Sequence, residues 1–176
     1  ELYKFIGPPL WESFMKFYGF SKAQANLAVE KYREYFADTG IFENEVIDGI
    51  DDLLRHLSDA GRRLIVATSK PKIFADRILE RFNLMRYFDI VCGSELDGTR
   101  VIKGEVIRYA LEKAEIADLS RVVMIGDRKH DIIGAKECCI DSIGVLFGYG
   151  SYDELSSAGA TLIVETVEEL ENVLLG

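Results

Sequence analysis

An α/β fold, with a parallel sheet covered by helices on both faces and a helical hairpin ahead of it, is what this chain predicts. Three observations predict it. Short, nearly unbroken apolar runs alternate with helical patterns over residues 43–176, and strands of that kind are buried on both faces, as in a parallel sheet. The first 42 residues carry the helical period alone. A length of 176 residues, 48% of them hydrophobic, suffices for one core with a small added layer.

The chain opens Glu1-Leu2-Tyr3-Lys4-Phe5-Ile6, without Met and within an expected structured element. After Gly7-Pro8-Pro9, the residues Trp11, Phe14, Met15 and Tyr18 repeat at helical spacing from Leu10 to about Tyr18. Ser21-Lys22-Ala23-Gln24 reads as a capping box that opens a second helix. Ala25, Ala28, Val29, Tyr32 and Phe36 line one face of it, and it stops near Asp38-Thr39-Gly40. The aromatic seam reads as structural core. Residues 1–42 therefore read as a helical insertion or cap, and residues 43–176 as an α/β core domain.

Within the core, Ile50, Leu53, Leu54 and Leu57 mark a helix ending at Gly61. Ile73, Ile78 and Leu79 mark a second, and Val106, Ile107, Ala110 and Leu111 a third. The strand candidates are 64–67, 88–91, 122–125, 143–146 and 161–164. Ser151-Tyr152-Asp153-Glu154 and Thr166-Val167-Glu168-Glu169 read as two further capping boxes, the second opening an acidic terminal helix. Gly134 and Ala135 are small where a helix packs closely on the sheet.

A formal net charge of −9 argues against a nucleic-acid or anionic-membrane surface as the main partner. It leaves an anionic small substrate open, because a few cations can reverse the sign inside one cleft. Cys92, Cys138 and Cys139 are odd in number and two are adjacent, which suits neither a disulfide framework nor zinc spacing. Their apolar contexts predict buried free thiols and a cytoplasmic setting. No signal-peptide core or long apolar stretch appears.

If the sheet is parallel, the carboxyl ends of its strands share one edge, where open α/β sheets bind ligands. Thr68-Ser69-Lys70-Pro71 ends the first strand, with Pro71 expected at the first helical position. A hydroxyl beside helix amides suits a phosphate, although Thr68 and Ser69 equally suit a simple cap. Lys103 stands just before a helix and reads as a site cation or as a solvated lysine. Gly126-Asp127-Arg128-Lys129-His130-Asp131 follows the third run. Its two carboxylates suit Mg²⁺, or else Asp131 is an N-cap and Asp127 is solvated. Together these are phosphate anchor, cation and metal carboxylates, the equipment of phosphoryl transfer.

In these motifs the chain resembles the haloacid dehalogenase superfamily of hydrolases, in its phosphoglycolate phosphatase-like branch. The second family motif is matched by Ile65 to Pro71, the third by Lys103 in Val101 to Ile107, and the fourth by Gly126 to Asp131. Gly7-Pro8-Pro9-Leu10 resembles the branch's cap turn, and 144–150 its next strand and loop. The resemblance implies a Rossmann-like parallel sheet with a helical cap. It also implies an Mg²⁺-dependent phosphate monoesterase acting on a small phosphorylated metabolite through an aspartyl-phosphate. Thr68 and Ser69 would bind the phosphoryl group, Lys103 would bridge phosphate and nucleophile, Asp127 would hold Mg²⁺, and Asp131 would bind it directly or orient its shell.

One departure stands out. The family's first motif, Asp-x-Asp-Gly-Thr, supplies the attacking and the acid–base carboxylates, and no such stretch precedes the hairpin. Its strand is therefore expected to be missing from the middle of the sheet, leaving these 176 residues inactive alone. Glu95-Leu96-Asp97-Gly98-Thr99 spells the motif's tail but reads as a loop, since Asp97-Gly98 is a turn signal. Nucleoside monophosphates and sugar phosphates are alternative substrates. A non-catalytic regulatory module, such as a pseudo-phosphatase, is the alternative of a different class. His56 reads as a surface or boundary residue, Arg128 and Lys129 as solvated loop charges, and 165–171 as a solvated acidic face.

Overall fold

The computed structural model describes Phe5 and residues 8–176. The opening stretch apart from Phe5, and Gly7 of the expected cap turn, lie outside the described residues. The chain divides into two compact units, Glu1–Glu45 and Val46–Gly176.

The first unit is a helical hairpin of α1 (Leu10–Tyr18) and α2 (Lys22–Asp38). Gly19, at φ 68°, ends α1, and its amide returns to Met15 O. Ser21 and Gln24 form the full reciprocal capping box at the start of α2. Phe14 stacks on Phe20 with centroids 5.9 Å apart, and Phe5 meets Phe14 edge-on at 5.2 Å. The aromatic seam is not the buried core its spacing predicts: Phe14, Phe20 and Phe36 are half-buried, and Trp11, Met15, Tyr18 and Tyr32 are exposed.

The second unit runs α3 (Ile50–Asp59), β1 (Ile65–Pro71), α4 (Lys72–Arg81), β2 (Ile90–Ser94) and α5 (Lys103–Lys113). It continues with β3 (Val123–Gly126), α6 (Lys129–Glu137), β4 (Asp141–Val145), α7 (Tyr152–Ala158), β5 (Leu162–Val164) and α8 (Val167–Leu175). Every strand pair is parallel. The strands form two sheets, β1-β2 and β3-β4-β5, and β1 and β3 are not paired with each other. Helices join what hydrogen bonds do not: α5 packs on β1 and β2, α6 packs on β3 and β4, and the two helices pack together.

Alternation along the strands feeds two opposite faces. Val123, Ile143, Val145 and Val164 meet Leu53, Leu57 and Leu170 on one face. On the other, Ala67 and Met124 meet Ile107, Ala135 and Cys138. Cys92, Val106 and Ala110 extend that layer over β2.

Several expectations need correction. The second strand starts at Ile90, not Phe88, because a 3₁₀ turn over Met85–Tyr87 takes up the chain before it. Pro71 closes β1 and caps α4 from outside, with ψ 132°. Lys72 is thus the first helical residue, and the ladder to β2 is irregular between Ala67 and Pro71. Gly134 is small for its neighbour helix: a Cβ there would lie 2.9 Å from Gly104 N and 2.9 Å from Lys103 Cγ. Cys92 and Cys138 are buried, but Cys139 is exposed, at the φ of 56° where the chain leaves α6. His56 and Glu171 clamp α3 to α8 through Nδ1 and Oε1 at 2.6 Å, so part of the acidic terminal face is engaged. Among the described residues no helix is long and apolar enough to cross a membrane.

Candidate active site

One side chain ties β1 to the first turn of α6, the helix that follows β3. Lys103, the first residue of α5, is largely buried, and its Nζ lies 2.7 Å from Asp131 Oδ1. The same ammonium donates to the Ala67 carbonyl of β1 at 2.9 Å. Burial and two oxygen partners set it apart from a solvated lysine. Gly104 and Gly134 allow the helix contact that puts it there: a Cβ on Gly104 would overlap Glu137 Oε2.

Asp131 has two duties at once. It is 6% exposed, and its Oδ2 accepts the Arg128 amide at 3.0 Å, which makes it the capping acid in the first turn of α6. It is not the N-cap itself; Arg128 is. With Oδ1 on Lys103 and Oδ2 on Arg128 N, both oxygens are engaged, which favours an orienting role over direct metal ligation.

Asp127 is half-buried. Its Oδ2 accepts the Tyr149 amide at 2.8 Å, so the loop after β4 holds it in place. That loop needs its glycines there: a Cβ on Gly148 would lie 2.3 Å from Asp127 Cβ, and one on Gly150 would lie 2.0 Å from Asp127 O. One carboxylate oxygen of Asp127 remains for another partner. This fits Mg²⁺, which takes one or two carboxylates and keeps several other oxygens in its shell. Among the described residues no group of three or more His, Cys, Asp or Glu side chains could hold a metal ion by itself.

Thr68 lies at the irregular end of β1, and its Oγ1 accepts the Lys70 amide at 3.1 Å. It does not cap α4, whose N-cap is Pro71 with no side-chain bond. The Ser69 carbonyl accepts from Ser94 Oγ at 2.8 Å, which pins this strand end to β2. Burial holds the neighbouring Lys70 ammonium below its ordinary pKa. Burial, then the charges of Lys129 and Arg128, push His130 below its ordinary value against the pull of Asp131 and Glu154.

The loop reading of 95–99 holds. Glu95 N donates to Thr99 O at 2.8 Å, Gly98 has φ 93°, and Asp97 accepts from its own loop at Thr99 N. The geometry thus brings Lys103 and Asp131 together, with Asp127 in the turn just before α6 and Thr68 next to the bridged Ala67.

Two residues escaped the sequence. Arg128 is not a solvated charge: its Nε lies 2.9 Å from Glu154 Oε1, and both side chains are largely buried. Glu154 Oε1 also accepts the Lys129 amide at 2.9 Å. The capping pattern at Ser151 predicted a local role for Glu154, and no local pattern announces a partner 26 residues earlier.

The model of the family described as haloacid dehalogenase-like hydrolase matches residues 1–145. A 5'-nucleotidase of Pseudomonas aeruginosa is 47% identical over 174 residues, which are 99% of this chain and 78% of the relative. The tyrosine-protein kinase PtkA of Mycobacterium tuberculosis is 37% identical over 172 residues, 96% of this chain but 58% of the relative. A phosphoglycolate phosphatase of Colwellia psychrerythraea is 30% identical over 128 residues, 73% of this chain and 56% of the relative. The crystal structure of a predicted phosphatase from Clostridium acetobutylicum superposes with a TM-score of 0.96 at 50% identity, covering 99% of this chain and 80% of that one. The chain thus spans little more than half the length of some of these relatives. It belongs to the haloacid dehalogenase-like hydrolase family, among that family's phosphatases.

Proposed function

We propose that the complete protein is an Mg²⁺-dependent phosphate monoesterase acting on nucleoside 5'-monophosphates, with residues 1–42 as part of a helical cap. The observation that carries the reading is the Lys103 ammonium, held between Asp131 Oδ1 at 2.7 Å and Ala67 O at 2.9 Å on the ligand edge of the strands. A cation fixed there stabilises charge that builds up on a transferring phosphoryl group and needs no reorganisation to do so.

In this reading Thr68 and Ser69 bind the phosphoryl oxygens, and Lys103 spans phosphate and attacking carboxylate. Asp127 holds Mg²⁺, and Asp131 fixes Lys103 and the turn that carries Asp127. Mg²⁺, when bound, supplies charge neutralisation at the phosphoryl oxygens. The attacking carboxylate and the proton donor are those of the family's Asp-x-Asp-Gly-Thr loop. That loop matches nothing in these residues, and β1 and β3 are not paired with each other. Attack by the carboxylate breaks the ester P–O bond, and the leaving alcohol takes a proton from the second Asp. Water then cleaves the aspartyl-phosphate, releasing inorganic phosphate.

The substrate class rests on the Pseudomonas relative, matched over nearly the whole chain and named a 5'-nucleotidase. Phosphoglycolate, the substrate named for the Colwellia relative, is the second reading. Steady-state assays of the complete protein with Mg²⁺ on AMP, GMP, UMP and phosphoglycolate separate them. The expected result is kcat/KM at least about tenfold higher for a nucleotide, a difference of about 1.4 kcal/mol in transition-state binding. Preference for phosphoglycolate would overturn the substrate class, and no hydrolysis of any of them would overturn the monoesterase.

A further inference from the structure

We propose that Glu154 is a positioning residue for the site: it holds the Asp127–Asp131 turn in its metal-binding shape through Arg128 and the Lys129 amide. The proposal rests on the phosphatase reading above and extends it to a residue on a different element.

The first observation is where the side chain goes. Among the described residues three helices open with a Ser or Thr followed three residues later by Gln or Glu, and the expected fate of that third side chain is a local bond. Gln24 behaves so, accepting from Ser21 N at 2.9 Å. Glu169 stays nearly local, accepting from Glu165 N at 2.7 Å. Glu154 does neither. Ser151 Oγ accepts the Glu154 amide at 3.2 Å, but the Glu154 carboxylate reaches Arg128 Nε and Lys129 N, both at 2.9 Å. The local half of a capping box is given up for a contact with the turn that carries both aspartates.

The second observation is what it grips. Arg128 is held at two points. Its side chain is fixed by Glu154, and its backbone amide donates to Asp131 Oδ2 at 3.0 Å. Asp131 in turn holds Lys103 at 2.7 Å. Lys129 is the first residue of α6, so its amide is one of the donors that a helix leaves unsatisfied, and Glu154 satisfies it from outside the helix. The same stretch also reaches Asp127, through Tyr149 N on Oδ2 at 2.8 Å. Residues 149–154 thus fix the turn on both sides of Arg128.

The third observation is burial. The Arg128 and Glu154 side chains are 15% and 23% exposed, so the pair is sheltered from the screening that makes surface pairs weak. Removing one partner leaves a sheltered charge uncompensated, and the turn must rearrange to reach water. Partners that orient a metal ligand without touching the metal typically change affinity or activity by about 10–100-fold when lost.

The test uses the complete protein, wild type and with Glu154→Ala and Glu154→Gln. Mn²⁺ binding is followed by electron paramagnetic resonance, and Mg²⁺-dependent turnover of AMP is measured alongside. The expected result for Glu154→Ala is Mn²⁺ affinity weaker by about 10–100-fold. kcat should fall at saturating Mg²⁺ while KM for AMP stays within about twofold. Glu154→Gln keeps an acceptor for the Lys129 amide and should fall between wild type and Ala. If both variants bind Mn²⁺ as tightly as wild type, the proposal is overturned, whatever happens to their melting temperature. If Ala does not fold, the Gln variant decides by the same criterion. A wild type that binds Mn²⁺ but turns over no phosphate ester would contradict the phosphatase reading instead, with the Mn²⁺ comparison still deciding the role of Glu154.

Discussion

β4 and β1 are both parallel strands of the same unit, and they are buried very differently. In β4, four consecutive residues from Ser142 to Val145 are buried. In β1 all seven residues are only half-buried, and β3 resembles it, with Ile125 at 37% exposure. β1 and β3 each border their sheet on the side where they do not pair with each other, so each has a hydrogen-bonded neighbour on one side only. The buried strand supplies core, and the candidate site residues Thr68, Asp127 and Asp131 lie at or just beyond the ends of the half-buried ones.

Substitutions can break or sharpen this contrast. The largest effect is expected from Lys103→Ala in the complete protein: a kcat loss of about 10²–10³, as for removal of one preorganised donor to a transition state. A change confined to KM would demote Lys103 to a binding residue. Next comes packing in the buried strand. Ile143→Ala should destabilise by about 2–4 kcal/mol in urea unfolding. Ile125→Ala, at a position 37% exposed in these 176 residues, should cost them about 1 kcal/mol by the area it buries. Equal losses would remove the contrast between the strands.

Gly134→Ala tests the helix contact that places Lys103. With a Cβ 2.9 Å from Gly104 N and from Lys103 Cγ, it should cost about 1–3 kcal/mol, and turnover should fall further than the unfolded fraction explains. The smallest effect concerns pH. Burial raises the Glu154 carboxyl, but the Lys129 amide, the Arg128 hydrogen bond and the two nearby charges together leave it below the ordinary glutamate value. A lowered folded pKa contributes stability that is fully present above about pH 4.5 and is lost as pH falls through the folded value. Glu154→Gln should therefore flatten the acid limb of stability and leave its shape near neutral pH unchanged.

Much of the fold was legible because its signals are local. Helical spacing located α1, α2, α3 and α5, and apolar runs located β1, β3, β4 and β5 to within a few residues. β2 was offset because its buried end, Cys92-Gly93-Ser94, lacks an apolar signature. Gly93 is there for close approach, since a Cβ would lie 2.6 Å from Lys70 O. Ser94 is buried because Ser69 O accepts its hydroxyl. The candidate site residues were legible as types at or near strand ends. Their bonding was not: the reach of Glu154 to Arg128, the two duties of Asp131 and the grip of Tyr149 N on Asp127 are long-range pairings that no local window contains. Arg128 was misjudged for that reason, as a loop charge whose buried partner lies a helix away.

The central claim is that Asp127, at the end of a half-buried strand, holds the cation for phosphate ester hydrolysis. Mg²⁺-dependent turnover of the complete protein, wild type against Asp127→Ala, tests it most directly, with circular dichroism to confirm the fold. The account predicts Mg²⁺-dependent hydrolysis in the wild type and none in a folded Asp127→Ala. Undiminished turnover in that variant would contradict it.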